Sequence, residues 1–372
     1  MSTLEDRKVA KDAKRAVLRR NGIKDFKPSP ATRKSIRRLG LTYITTDELT
    51  IRRLRRGNGF RYVSADGTAM RGEETRRLAS LAVPPAYEDV LYASDSSAHI
   101  QATGRDAAGR LQYRYHPDWQ KVREIRKARR ISHLAAVMPQ IRRSIGRHLA
   151  AGDASRAFTL SAVIELVARS AIRPGTEEYA RLRGTRGAAT LLKSNVTVYG
   201  ETVHLCFRAK GGKRIEKEVY APRLATAVTV LHKLPGRRLF QYRTENGALR
   251  QVNAQDVNRF LREIAGVEVS LKDFRTLLAS VSVLETLGRA EPAMSKRARR
   301  RQVLDAIRAA ANDLGNTPAI CGKSYVHETI VNAFEEGALE QFSDILRRAR
   351  SSSRSEKVLV RVTDQIATVF AA

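Results

Sequence analysis

Residues His99 to Tyr115 read HIQATGRDAAGRLQYRY. Two short alternating runs, His99–Thr103 and Leu111–Tyr115, flank a glycine-bearing turn and predict a β-hairpin. From Trp119 to Leu149 the period lengthens to that of a helix, and the run is basic. Upstream, Phe60-Arg61-Tyr62-Val63 followed by Ala65-Asp66-Gly67 predicts another hairpin, and Val90-Leu91-Tyr92-Ala93 a strand. Glu73–Leu81 predicts a helix ahead of the Pro84-Pro85 breaker. Downstream, Phe158, Val163, Ile164, Val167 and Ile172 mark an apolar helix ending at Pro174. A β insertion follows, with Val196 and Val198, then Val203, Leu205 and Phe207, then Ile215 and Val219, turning at Tyr199-Gly200 and at Lys210-Gly211-Gly212-Lys213. After Pro235 the chain reads as helical to its end, and the stripe Val303, Ile307, Ala310, Leu314 is closed by Gly315.

These patterns predict an α+β protein: a small β-rich N-terminal domain, then a larger, mainly α-helical domain with a small antiparallel sheet. The expected layout is a basic arm over 1–40, the β-rich domain over 41–130, the helical domain over 131–350 and a tail over 351–372. Ser351–Ser355 reads as a short linker.

The chain has 372 residues, with 69 Lys+Arg against 38 Asp+Glu and a formal net charge of +31. At 42% hydrophobic it can bury a core, so the excess charge points outward, to a polyanion: nucleic acid first, an anionic membrane surface second. Residues 101–130 hold nine Lys or Arg against three Asp or Glu. Cys206 and Cys321 form neither a metal-ligand spacing nor a disulfide framework, which suits a reducing cytoplasm. Met1 to Leu18 lacks the apolar stretch of a signal peptide, and no apolar run approaches the ~18 residues needed to span a bilayer.

Metal and nucleotide chemistry find no support. The seven histidines are scattered, and neither GxxxxGK[ST] nor a strand-linked GxGxxG occurs. A basic protein without either can still break a phosphodiester bond if a side chain is the nucleophile. That route needs an activated hydroxyl, cations on the phosphorane and an acid for the leaving oxygen. Four segments supply those types: Arg173 in IRPGTEEY (172–179), Lys210 in FRAKGGK (207–213), Arg275 in LKDFRT (271–276), and Asn316 with Tyr325 in GNTPAICGKSYVH (315–327). Taken singly, each residue has an ordinary reading. Arg173 fits a cation at a helix end, Lys210 a β-turn, Arg275 a surface ion pair with Asp273, Asn316 a helix stop, and Tyr325 a core aromatic.

Together and in this order, the four segments resemble the active-site motifs of the type IB DNA topoisomerases, in the small viral-like form found in bacteria. LAVPPAYEDV (81–90), HIQATGRD (99–106) and QYRYH (112–116) match as well, so the resemblance spans roughly residues 40–335. It implies cleavage of one strand of duplex DNA by Tyr325 through a 3′-phosphotyrosyl link, with relaxation of supercoils of either sign. Arg173 and Arg275 would hold the non-bridging phosphate oxygens, Lys210 would protonate the leaving 5′-oxygen, and Asn316 would donate to the same phosphate. Tyr113, Tyr115, Arg123 and Tyr179 would lie against DNA.

The resemblance further implies no ATP or other required cofactor, with a divalent cation at most stimulatory. It also implies a nucleoid-associated monomer that clamps DNA without an obligatory protein partner or a membrane. Viral members carry a histidine at the place of Asn316, which bacterial members resemble, and a DNA-contacting lysine at the place of Glu178. Two other readings share parts of this pattern. A tyrosine recombinase has the same Arg-Lys-Arg-Tyr set but typically a helical N-terminal domain, and an architectural protein would bind DNA by charge alone. The run Lys296–Arg301 fits either a DNA-facing surface or a solvated helix start.

Overall fold

Alternating sequence over the first third builds one antiparallel sheet. The computed structural model describes residues 28–349 and 352–369. Its strands are β1 (Ile51–Arg56), β2 (Gly59–Val63), β3 (Glu88–Tyr92), β4 (Ile100–Arg105) and β5 (Leu111–Tyr115), in the order β2-β1-β3-β4-β5. Helix α1 (Pro30–Arg38) precedes the sheet and α2 (Gly72–Ser80) lies between β2 and β3. Leu78 of α2 is fully buried with Val83, Val90, Tyr92 and Ala102, so the sheet has an apolar face. The expected β4–β5 hairpin forms, with Thr103 opposite Tyr113 and a register shift between Ile100 and Ala102.

The turn expected after Phe60–Val63 forms, with Val63 bridged antiparallel to Ala69 and the Ser64 N–H donating to the Thr68 carbonyl at 2.9 Å, while the longer pairing of that strand is with β1, through a turn at Gly57-Asn58 where Gly57 has φ 53°. Strand β1, IRRLRR, carries four arginines and does not read as a strand, although a two-residue glycine turn is a hairpin signal. The basic arm expected over 1–40 lies outside the described residues up to 27. Its last part is helix α1, anchored by Ile36, which is buried with Leu41, Trp119 and Val122.

The chain divides into two units, residues 1–126 and 127–372, and the division falls inside helix α3 (Trp119–Ala150). The second unit contains α4 (Arg156–Ser170), α5 (Glu177–Arg183), the antiparallel sheet β6 (Val196–Tyr199), β7 (Thr202–Arg208), β8 (Arg214–Tyr220), and α6 (Pro222–His232). Beyond these come β9 (Gln241–Arg243), β10 (Leu249–Gln251), α7 (Ala254–Ala265), α8 (Leu271–Arg289), α9 (Lys296–Leu314), α10 (Pro318–Ser324), α11 (Glu328–Glu335), α12 (Ser343–Arg347) and α13 (Ser352–Val369). Ten residues of α4, among them Phe158, Leu160, Val163, Ile164 and Val167, are buried, so it is surrounded by core rather than one-sided.

Three boundaries differ from expectation. Helix α4 stops at Ser170, because Ala171 takes a left-handed conformation (φ 54°) three residues before Pro174. The stretch after Pro235 is not wholly helical: β9 and β10 pair around Asn246-Gly247, each too short to show a period of two. Ser351–Ser355 is not a linker, since α13 begins at Ser352 and buries Val358, Leu359 and Val362 in the core of this unit. Arg142 pairs with Glu356, and Ser355 donates to Glu285 at 2.5 Å, fixing that helix in place.

Candidate active site

Helix α8 carries two of the groups that assemble the site. Its N-terminus is capped by Asp273, whose Oδ2 accepts from the Ser270 backbone N–H at 2.7 Å and from the Ser270 hydroxyl at 2.8 Å. The same oxygen takes the Arg130 guanidinium at 2.8 Å. Asp273 is thus committed to Arg130, and Arg275, two residues on and facing away from it, has no surface ion pair with it. Arg275 instead points inward and is 1% exposed. Its Nη1 donates to the Ala171 carbonyl and its Nη2 to the Leu314 carbonyl at 3.0 Å, while Nε has no partner among the described residues.

Helix α9 ends at Leu314, and Gly315 (φ 62°) reverses the chain there, as its stripe predicts. Asn316 follows, and its N–H closes back on the Ala311 carbonyl at 2.9 Å. The Asn316 Oδ1 accepts from Arg173 Nη2, while its buried Nδ2 has no partner among the described residues. A buried amide N–H without an acceptor is costly, and an incoming anionic oxygen would satisfy it.

A single short helix separates Asn316 from Tyr325. Thr317 caps α10, with its hydroxyl accepting from the Ile320 N–H at 3.3 Å, and Pro318 opens it. Tyr325 sits at its end and donates its backbone N–H to Cys321 at 2.9 Å. Ser280, on α8, donates to the Tyr325 carbonyl at 3.1 Å, and Lys127 Nζ holds the next carbonyl, of Val326, at 2.8 Å. Tyr325 is 9% exposed and the Arg275 guanidinium carbon lies 5.0 Å from its ring centroid. Burial pushes the phenol pKa up, but the charges of Arg275, Arg173 and Lys272 outweigh it, and the net shift is downward. Arg275 is itself moved down by burial and by Arg173, with Tyr325 opposing.

The Arg173 loop depends on the absence of side chains. Gly175 has φ 80°, and a Cβ on Gly187 would fall 2.5 Å from the Arg173 carbonyl oxygen and 2.5 Å from the Gly175 nitrogen. Ala188 N–H donates to the Arg173 carbonyl and Ala189 N–H to that of Pro174, both at 2.8 Å. Glu177, in the first turn of α5, is gripped by buried Arg238 at 2.5 Å, and the same guanidinium donates to the Ala189 carbonyl at 2.9 Å.

The structure therefore brings Tyr325, Arg275, Arg173 and Asn316 together. Lys210 is exposed at the tip of the β7–β8 hairpin, between Ala209 and two glycines at φ 80° and 77°, and stands apart from those four. Lys217 and Arg186 line the same pocket as Arg173 and Arg275; neither stands out in the sequence, because a lysine on a strand and an arginine in a loop carry no local signature. Lys127 and Lys272, lysines on α3 and α8, carry no such signature either.

In the first unit, Tyr113 and Tyr115 stack, with centroids 5.8 Å apart and planes at 12°. Tyr113 is half-buried; Tyr115 is 41% exposed and continues the stack onto Trp119 at 6.2 Å. Arg123 is exposed, and its charge acts on the Tyr115 phenol, whose pKa burial raises. In the second unit Tyr179 is 42% exposed, with the Arg183 guanidinium 5.4 Å from its ring. Of the run Lys296–Arg301, Arg299 is used structurally and donates to the Glu335 carbonyl at 2.6 Å.

Among the described residues no cluster of His, Cys, Asp and Glu is arranged to hold a metal, and no helix is long and apolar enough to cross a membrane. Residues 116–352 match the family model of the eukaryotic DNA topoisomerase I catalytic core. Residues 59–106 match that of the bacterial DNA topoisomerase IB N-terminal domain. DNA topoisomerase 1B of Acanthamoeba polyphaga mimivirus is 29% identical over 261 residues, which is 68% of this chain and 78% of the viral protein.

Proposed function

The chain belongs to the type IB DNA topoisomerases, and from that premise we propose how its own residues carry out the reaction. Tyr325 attacks a backbone phosphate: a bond forms from its phenolic oxygen to phosphorus, its proton passes to water, and the P–O5′ bond breaks. Lys210 gives a proton to the departing 5′-oxygen, reaching the bond from its glycine-flanked tip. Arg173 and Arg275 meet the non-bridging oxygens, where charge accumulates in the transition state, and Asn316 Nδ2 adds a neutral donor. The free end then rotates and the 5′-hydroxyl reverses the chemistry, so the number of phosphodiester bonds is unchanged and no nucleotide is consumed. Fixed cations serve the electrostatic role that a metal fills elsewhere.

The observation that carries this reading is the placement of Tyr325: a buried phenol with the Arg275 guanidinium 5.0 Å from its ring, its pKa drawn down by Arg275 and by Arg173, the arginine that also holds Asn316. Duplex DNA is the substrate, taken up by a monomer at the nucleoid in the cytoplasm. Tyr113, Tyr115, Arg123 and Tyr179 add contacts to the duplex.

Relaxation of negatively and positively supercoiled plasmid in EDTA without ATP tests the scheme. Wild type is expected to relax both, and Tyr325→Phe neither, with a covalent protein–DNA complex trapped by denaturant only in the wild type. Full relaxation by Tyr325→Phe would refute the assignment.

A further inference from the structure

Lys217 takes no part in the chemistry above, yet it lies in the pocket lined by Arg173 and Arg275. Its Nζ donates to the Ser170 carbonyl at 2.8 Å and to that of Asp313. One residue farther along both segments, Arg275 spans the Ala171 and Leu314 carbonyls. Two residues beyond that, Arg173 donates to Asn316. Three cross-links thus hold the end of α4 to the end of α9 in one register: 170 opposite 313, 171 opposite 314, 173 opposite 316.

Two helix C-termini brought side by side present unsatisfied carbonyls and the negative ends of two dipoles. Cations at the junction offset both, and Arg275 and Lys217 supply them. Lys217 differs from Arg275 in its origin. It stands on β8, opposite Leu205 of β7, on the hairpin whose tip is Lys210. Phe207 and Ile215 of that hairpin line the same pocket, and the Arg186 N–H holds the Arg208 carbonyl at 2.7 Å as a second tether. Burial and Arg275 push the Lys217 ammonium pKa down while Asp313 opposes them, as expected for a cation facing carbonyls in a confined place.

We propose that Lys217 is a positioning residue for strand cleavage: from β8 it fastens the hairpin that carries Lys210 to the helix ends that present Arg173 and Asn316, and so sets where Lys210 can reach. The inference rests on the reading of Lys210 as the proton donor. A side chain that only stabilised the fold would slow cleavage of every substrate alike. One that places the acid matters only when the leaving group needs a proton.

The test is single-turnover cleavage by the full chain of two duplexes, one with the natural 5′-oxygen at the scissile phosphate and one with a bridging 5′-sulfur. With sulfur, the Tyr325–phosphorus bond forms, the P–S bond breaks and the thiolate departs without a proton. Lys217→Met is expected to bind duplex within about twofold of wild type. It should cleave the oxygen substrate about tenfold or more slowly, since small displacements of a catalytic group have effects of that size. On the sulfur substrate it should come within about threefold of wild type. The Lys210→Met, Lys217→Met double variant should be no slower on oxygen than Lys210→Met.

Equal slowing on both substrates, or a double variant slowed by the product of the two single effects, would overturn the inference. So would a wild-type rate on oxygen. If the methionine variant melts below the assay temperature, Lys217→Gln, which keeps an amide donor, is judged by the same rates. Failure of the wild type to form a covalent complex through Tyr325 would instead refute the underlying scheme.

Discussion

The Arg173 loop is held at its most constrained point by Gly187. A Cβ there would lie 2.5–2.6 Å from the backbone of Arg173 and Gly175, with no flexible side-chain end to move aside. Gly187→Ala is therefore expected to push the loop outward, detach Arg173 from Asn316 and lower the cleavage rate about 100-fold, the effect of roughly 1 Å of misplacement. Single-turnover cleavage measures this, with duplex affinity as the control; a rate within twofold of wild type would show that the loop can yield. Nothing in TRGAAT foretells such a demand, because the approaching atoms belong to residues twelve and more positions earlier. The residue types of the site were legible: an ordered Arg, Lys, Arg, Asn and Tyr. The orphaned Asn316 Nδ2 and the switch of Asp273 from Arg275 to Arg130 were not, since hydrogen-bond partners are settled by packing.

Among elements, those with long, regular patterns were readable and those defined by a few residues were not. The β4–β5 hairpin, the β6–β7–β8 sheet and the end of α9 at Gly315 follow their periodicity and turn residues. The strands of three residues in β9 and β10 are too short to set a period, and the arginine-rich β1 hides its alternation. Helix α13 is the consequential case, because a serine-rich start suggested a linker where the apolar stripe after it belongs to the core. Leu359 is fully buried there. Leu359→Ala is expected to destabilise the protein by about 2–4 kcal/mol, the usual cost of a buried leucine with its residual cavity. Chemical denaturation measures it, and a loss below about 0.5 kcal/mol, the range of exposed sites, would mean that this helix is not part of the folded core.

For the whole molecule, +31 is far more charge than the site consumes. Arg275 is buried and Lys217 is tied to carbonyls, so the charge of these two is used inside the fold. Exposed cations such as Arg123 are the ones the proposed function assigns to phosphate contacts. If about six to ten of them neutralise phosphates, log–log plots of duplex affinity against salt should fall with a slope of about −5 to −9. Titration of Tyr325→Phe with duplex measures the slope without turnover, and one shallower than about −2 would rule out charge as the main source of affinity. By itself the sequence determined the polyanionic partner, the change from β-rich to helical text and the types of the reacting groups, because charge, periodicity and residue chemistry are local properties. Only the tertiary structure decided which groups share one pocket, which phenol lies in the field of two arginines and which amide is left without an acceptor. Those depend on contacts between segments 39 to 143 residues apart, and close packing of the α4, α8 and α9 ends, rather than any local pattern, determines them.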